Sequence, residues 1–149
     1  MSQVLKRARE IVSKSWGQKD YVVDRGDGEP RFCLAGACGA AYEMNSNRMN
    51  YQEVGYDFVL DAFDHVQEEL YAIAEVIADE LGWVDKYNDS LWRIRPGEEV
   101  EDDDGDWMMS DDMWSEQVTE FIAIWNDAEE RKVEDVIYVI DRAQEKMST

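Results

Sequence analysis

The sequence predicts an all-α, single-domain bundle of about five helices, with one long central helix, an acidic loop and room for a short β hairpin. Three observations carry that prediction. Apolar residues recur at steps of three and four along most of the chain, and Gly or Asn stands where those runs stop. A length of 149 residues with 44% hydrophobic content is enough for one buried core, so residues 1–149 are read as one domain.

The elements follow in order. Val4, Leu5, Ala8, Ile11, Val12 and Trp16 make one face of an N-terminal helix, capped by Ser2 and ended by Gly17. Residues 17–31, with Gly26, Gly28 and Pro30 among charges, form a loop or short hairpin. Residues 32–44 read as a short helix of small side chains. Gly36 and Gly39 each cost it about 1 kcal/mol relative to Ala, which close packing against neighbours must offset. Asn45, Ser46 and Asn47 end it, and Asn50 is placed to cap the next element. Residues 54–81 read as one long helix, because Val59, Phe63, Val66, Leu70, Ile73, Ile77 and Leu81 step by threes and fours up to Gly82. Residues 83–112 form an ordered acidic and aromatic loop with a short strand at 91–95. A helix from Ser110 or Asp111 to Asn126 uses Trp114, Val118, Phe121, Ile122 and Trp125. A final helix runs through Val133, Val136, Ile140, Ala143 and Met147, with Arg142 and Lys146 where its dipole favours cations.

The N-terminal helix ending at Trp16-Gly17, the Cys33-Leu34-Ala35-Gly36-Ala37 segment, Ile124-Trp125-Asn126-Asp127, Lys132 to Val136 and Asp141-Arg142-Ala143 together resemble an uncharacterised family of small bacterial and phage proteins. The resemblance implies a helical fold and a phage or bacterial origin, and it carries no function.

Catalytic chemistry has few groups to work with. The one histidine, His65, sits among Asp61, Asp64, Glu68 and Glu69 and reads as a solvated helix-surface residue. Cys33 and Cys38 are five apart, which on a helix points the thiols to different faces, and their small apolar neighbours mark them as buried. One His and two such Cys cannot build a tetrahedral zinc site. Aligning Gly105 with the turn glycine of a calcium-binding helix-loop-helix puts Asp102 and Asp104 in place, but Val100 falls on the first ligand position and Asp111 replaces the final Glu. No phosphate-binding glycine loop is present. Trp125-Asn126-Asp127 reads as a core anchor followed by a helix cap. No catalytic, metal or cofactor-binding residue is assigned, and the chain is read as a non-enzyme without cofactor. Charged residues interrupt every apolar run near the N-terminus, and no run reaches the roughly 18 residues of a membrane span, so a cytoplasmic location is expected.

The charge distribution is the main clue to function. The net charge is −20, and residues 61–81 and 101–130 hold seven and twelve acids without one Lys or Arg. Asp57, Asp61, Asp64, Glu68, Glu75 and Asp79 share the three-and-four spacing of the apolar face, so a straight helix would align them as one stripe. Like charges so placed cost about 0.2–0.5 kcal/mol per pair. Such a row is comparable to phosphates along a nucleic-acid strand. With Asp102, Asp103, Asp104, Asp106, Asp111 and Asp112, and with Trp107 as an apolar anchor, it is read as a partner-binding surface. The expected role is a phage-type inhibitor that mimics nucleic-acid charge and occupies the basic groove of a nucleic-acid-handling or defence enzyme. The expected partner is thus a basic protein surface, with no direct contact to nucleic acid or membrane. A helical adaptor without mimicry is the alternative, and a small enzyme or divalent-ion binder the third reading.

Overall fold

The computed structural model describes residues 2–24, 30–83, 91–93, 99–102, 105–108 and 111–148, and within them it has six α-helices around one apolar core. The first, α1 (Gln3–Ser15), starts where the sequence places it: Ser2 Oγ accepts from the Leu5 N–H at 3.1 Å. Its buried face, Leu5, Ala8, Ile11 and Val12, packs on α2 (Leu34–Asn47) and α6 (Val133–Met147). Between α1 and α2, β1 (Val22–Asp24) and β2 (Pro30–Phe32) pair antiparallel as the expected hairpin, and Trp16 bridges to Phe32.

The central position belongs to α2. Leu34 to Ala41 are all buried, so this helix is covered on every side, which only small side chains permit at such close approach. A Cβ on Gly36 would lie 2.0 Å from the Tyr21 carbonyl oxygen, and one on Gly39 would lie 3.1 Å from that of Val59. The helix also outruns its expected end. It includes Asn45 to Asn47 and stops at Arg48, whose φ of 55° is left-handed. Asn50 opens a 3-10 turn (Tyr51–Glu53) instead of an α-helix, its carbonyl accepting from the Glu53 N–H at 2.9 Å.

Residues 54–81 are not one long helix. They fold as α3 (Tyr56–Ala62), a 3-10 turn (Phe63–His65), α4 (Gln67–Glu75) and a π-helical turn (Val76–Glu80) that ends at Gly82 with φ 69°. Val66, at φ −122° and ψ 30°, is the break. The break lets the two halves serve different neighbours: α3 lies on α2, while α4 lies between α5 (Asp111–Asn126) and α6. Both Phe63 and Val66 remain buried across it. A 3-10 turn advances about 120° per residue against 100° for an α-helix, so three residues disturb the apolar spacing too little to be seen in sequence.

The expected strand at 91–95 is also corrected. Leu91–Arg93 is a 3-10 turn in which Trp92, 1% exposed, stacks on Phe121 at 4.9 Å and lies under the Arg93 guanidinium at 4.3 Å. Residues 94 and 95 are outside the described residues. The extended pairing lies further on, within the segment read as a loop: β3 (Glu99–Asp102) and β4 (Gly105–Met108) are antiparallel, with Val100 opposite Trp107. β-branched and aromatic residues favour that pairing.

Candidate functional site

Among the described residues, the two turns of α3 set large apolar groups and acids side by side on the surface. Val59 and Ala62 bury one side of the helix, and the absence of a side chain at Gly39 lets it sit close to α2. The remaining circumference faces outward. Tyr56, Phe58 and Leu60 are 44%, 46% and 40% exposed, and Asp57 and Asp61 are exposed between them, with Asp64 just beyond in the 3-10 turn. Large apolar groups and unrelieved acids share one short helix.

Beside it runs a groove of about 530 Å³ between α3, the start of β1 and α5. One wall is aromatic. Tyr21 stands 5.1 Å from Phe63, edge to face, and 6.0 Å from Tyr56, tilted by 33°. The Tyr21 hydroxyl donates to Thr119 Oγ1 at 3.3 Å, and burial pushes it above the usual phenol range. The same groove is lined by Asp61, Asp64 and Glu116. Among the described residues, no ion pair engages these three carboxylates.

The expectation of a single unrelieved stripe is corrected on two counts. Asp57, Asp61 and Asp64 precede the break at Val66, whereas Glu68, Glu75 and Asp79 follow it, so the row is interrupted. The far end is also neutralised from other elements. Glu75 pairs with Lys146 at 3.4 Å, Asp79 with Arg93 at 2.6 Å and Glu80 with Arg142 at 2.7 Å. At this end the cations come from α6 and the 91–93 turn, not from the same run of sequence.

Of the remaining predicted contact residues, Asp102, Asp106 and Trp107 lie on the β3–β4 hairpin, and Asp111 and Asp112 lie in the first turn of α5, where the dipole favours acids. Asp103 and Asp104 lie outside the described residues. Asp102 faces Gly105 as the closing rung of the hairpin. Among the described residues no three His, Cys, Asp or Glu side chains converge on a point where a metal ion could sit, and no helix is long and apolar enough to cross a membrane. His65 is exposed and stacks on Tyr42 at 4.7 Å.

Asn126 does something other than cap a helix. Fully buried, it accepts from Trp16 Nε1 at 2.7 Å and from the Leu34 N–H at 3.1 Å, and it donates to the Gly17 carbonyl at 3.1 Å. Next to it, Asp127 Oδ1 accepts from the Lys19 N–H at 2.7 Å and holds Lys19 at a left-handed φ of 81°. One amide thus ties the ends of α1 and α5 to the start of α2. Trp125 anchors the core as expected, under the Arg131 guanidinium at 4.0 Å. Cys33 caps α2, its Sγ accepting from the Gly36 N–H at 3.4 Å, and burial pushes its thiol up to about 12. Cys38 is likewise buried, free and shifted upward.

A family model described as a family of unknown function, DUF6197, matches residues 1–146. The chain belongs to that family. No curated protein and no solved structure matches it. In this member of DUF6197, the Trp16-Gly17, Cys33-Leu34 and Trp125-Asn126 segments meet at the Asn126 node. What the sequence reading missed is the groove: Tyr21 sits in a glycine-rich connection, and Glu116 lies about 50 residues from Asp64 in sequence, so no local spacing links them.

Proposed function

We propose that the protein is a non-catalytic binding protein that sets the acidic, aromatic face of α3 against a basic protein surface, of the kind nucleic-acid-handling enzymes carry, and keeps nucleic acid off it. The observation that supports this reading is the contrast along residues 56–80: Glu75, Asp79 and Glu80 are drawn into ion pairs with other elements, while Asp57, Asp61 and Asp64 stand exposed beside Tyr56, Phe58 and Leu60. Tyr and Phe supply apolar anchors, and carboxylates supply steering and register. Charge mimicry extends over Asp57, Asp61 and Asp64 only, since the regular row ends at the break. A phage-type inhibitor of a host defence or transcription enzyme, acting in the cytoplasm, is the setting this reading implies. The lone exposed histidine and the buried, protonated thiols support a role without catalysis.

The test is titration against a panel of purified DNA- and RNA-binding enzymes. Binding should compete with nucleic acid and weaken at least tenfold between about 50 and 200 mM salt. The triple variant Asp57→Lys, Asp61→Lys, Asp64→Lys should lose about 100-fold in affinity while keeping its melting temperature. Competition with nucleic acid that survives this variant unchanged would refute the reading. Tyr56, Phe58 and Leu60 also favour an adaptor role without mimicry, which salt-tolerant binding without competition would select.

A further inference from the structure

We infer that the groove beside α3 is a receptor for a single arginine side chain of the basic partner, its guanidinium lying on the aromatic wall of Tyr21 and Tyr56 and pairing with Asp61, Asp64 or Glu116. The inference rests on the proposed function and names the chemical group that the α3 face would recognise.

Three features of the groove converge on this occupant. Its volume of about 530 Å³ leaves room for the stem and head of one arginine side chain. Its carboxylates are unrelieved by described cations and belong to a chain of net charge −20, so an anion is repelled and a cation drawn in. Its lining also includes the rings of Tyr21 and Tyr56, 6.0 Å apart, and Tyr56 is 44% exposed. A flat, delocalised guanidinium stacks on an aromatic ring and presents a fork of N–H donors to carboxylates, whereas an ammonium is a compact and more strongly hydrated point charge. The molecule already uses the same contact internally, with Arg93 over Trp92 at 4.3 Å and Arg131 over Trp125 at 4.0 Å. Thr119 fixes the Tyr21 hydroxyl, and the close approach of Gly36 to the Tyr21 carbonyl fixes its backbone, so the Tyr21 side of the groove is preformed.

The probe is acetyl-arginine-amide, with acetyl-lysine-amide and acetyl-citrulline-amide as controls, titrated into the 15N-labelled full chain and followed by amide shifts. Arginine should shift the amides of Tyr21, Tyr56, Asp61, Asp64 and Glu116 saturably, lysine should bind at least about threefold more weakly, and citrulline should leave them unmoved. Tyr56→Ala should abolish saturation, the triple variant Asp61→Asn, Asp64→Asn, Glu116→Gln should do the same, and Tyr138→Ala, at an exposed tyrosine of α6 outside the groove, should leave it intact. Saturation that is equal for lysine, or shifts scattered over the other acidic surfaces, would overturn the inference. Two failures stay distinguishable. If arginine does not bind but the chain still competes with nucleic acid on a partner, only the groove assignment falls. If arginine binds but no basic partner does, the α3-face reading falls and the groove remains a guanidinium site.

Discussion

Residues 56–65 and 67–80 are close in composition, both apolar with regularly placed acids and without Lys or Arg, yet the fold uses them differently. In the second stretch the apolar residues are mostly enclosed by α5 and α6, and Glu75, Asp79 and Glu80 are met by Lys146, Arg93 and Arg142. In the first, one side is buried on α2 and the other leaves Tyr56, Phe58, Leu60 and three aspartates facing outward. The difference teaches that an acidic run has no fixed meaning in sequence: its role depends on whether distant elements bring cations to it.

That contrast can be broken from both sides. The largest effect should come from the interior node that gives the scale for a polar group wholly used by the fold. Asn126→Leu strands the Trp16 and Leu34 N–H donors and the Gly17 carbonyl, and should cost about 3 kcal/mol or more, read from urea denaturation. Next is Gly36→Ala, whose Cβ would overlap the Tyr21 carbonyl. It should cost about 1–3 kcal/mol and, by displacing Tyr21, should also weaken arginine binding in the groove.

Alkaline pH tests the interior without mutation. Cys33, Cys38 and Tyr21 all have folded values above their ordinary ones, so between pH 9 and about 12 the unfolded chain releases protons that the folded chain keeps. Stability is therefore fully present below pH 9 and falls as pH rises through that window. The urea midpoint should drop from pH 8 to 11, and the double variant Cys33→Ser, Cys38→Ala should flatten the slope. The smallest effect belongs to the paired end of the acidic run. Asp79→Asn removes a half-exposed partner of Arg93 and should lower stability by about 0.2–1 kcal/mol, less at high salt, with partner binding unchanged. If partner affinity instead fell as far as in the α3 triple variant, the division between the two stretches would be wrong.

Much of the fold was legible from periodicity. Ser2 as a cap, α1, α5, α6 and the stop at Gly82 all follow from spacing and local chemistry, whereas residues 17–31 were open between a loop and the hairpin that the fold contains. The 3-10 turn at Phe63–His65 and the break at Val66 left no trace, because no Gly or Pro marks them and apolar residues keep their spacing through them. The β3–β4 hairpin was obscured by a tract whose composition reads as loop. Asp57, Asp61 and Asp64 were legible as a charged surface, but the groove that Asp61 and Asp64 line was not, since its other residues Tyr21 and Glu116 come from distant segments. Glu75 and Asp79 were misread as unrelieved for the same reason: their cations lie on residues that only the tertiary fold brings near.

The contact between α1 and α6 has a temporal consequence. Ser2 and Gln144 hold each other through two hydrogen bonds of 2.8 and 2.9 Å, backed by Arg9 on Asp141, and 142 positions separate the pair. Closing so long a loop costs about 2 kcal/mol more entropy than closing one a tenth as long. On the ribosome, α1 can settle on α2 once residue 47 has emerged, but its other flank stays open until α6, made after every other described element, arrives to cover it. Until then the nascent chain carries an unshielded apolar seam, and the period of greatest risk of misassociation is set by the time taken to synthesise the hundred or so residues between.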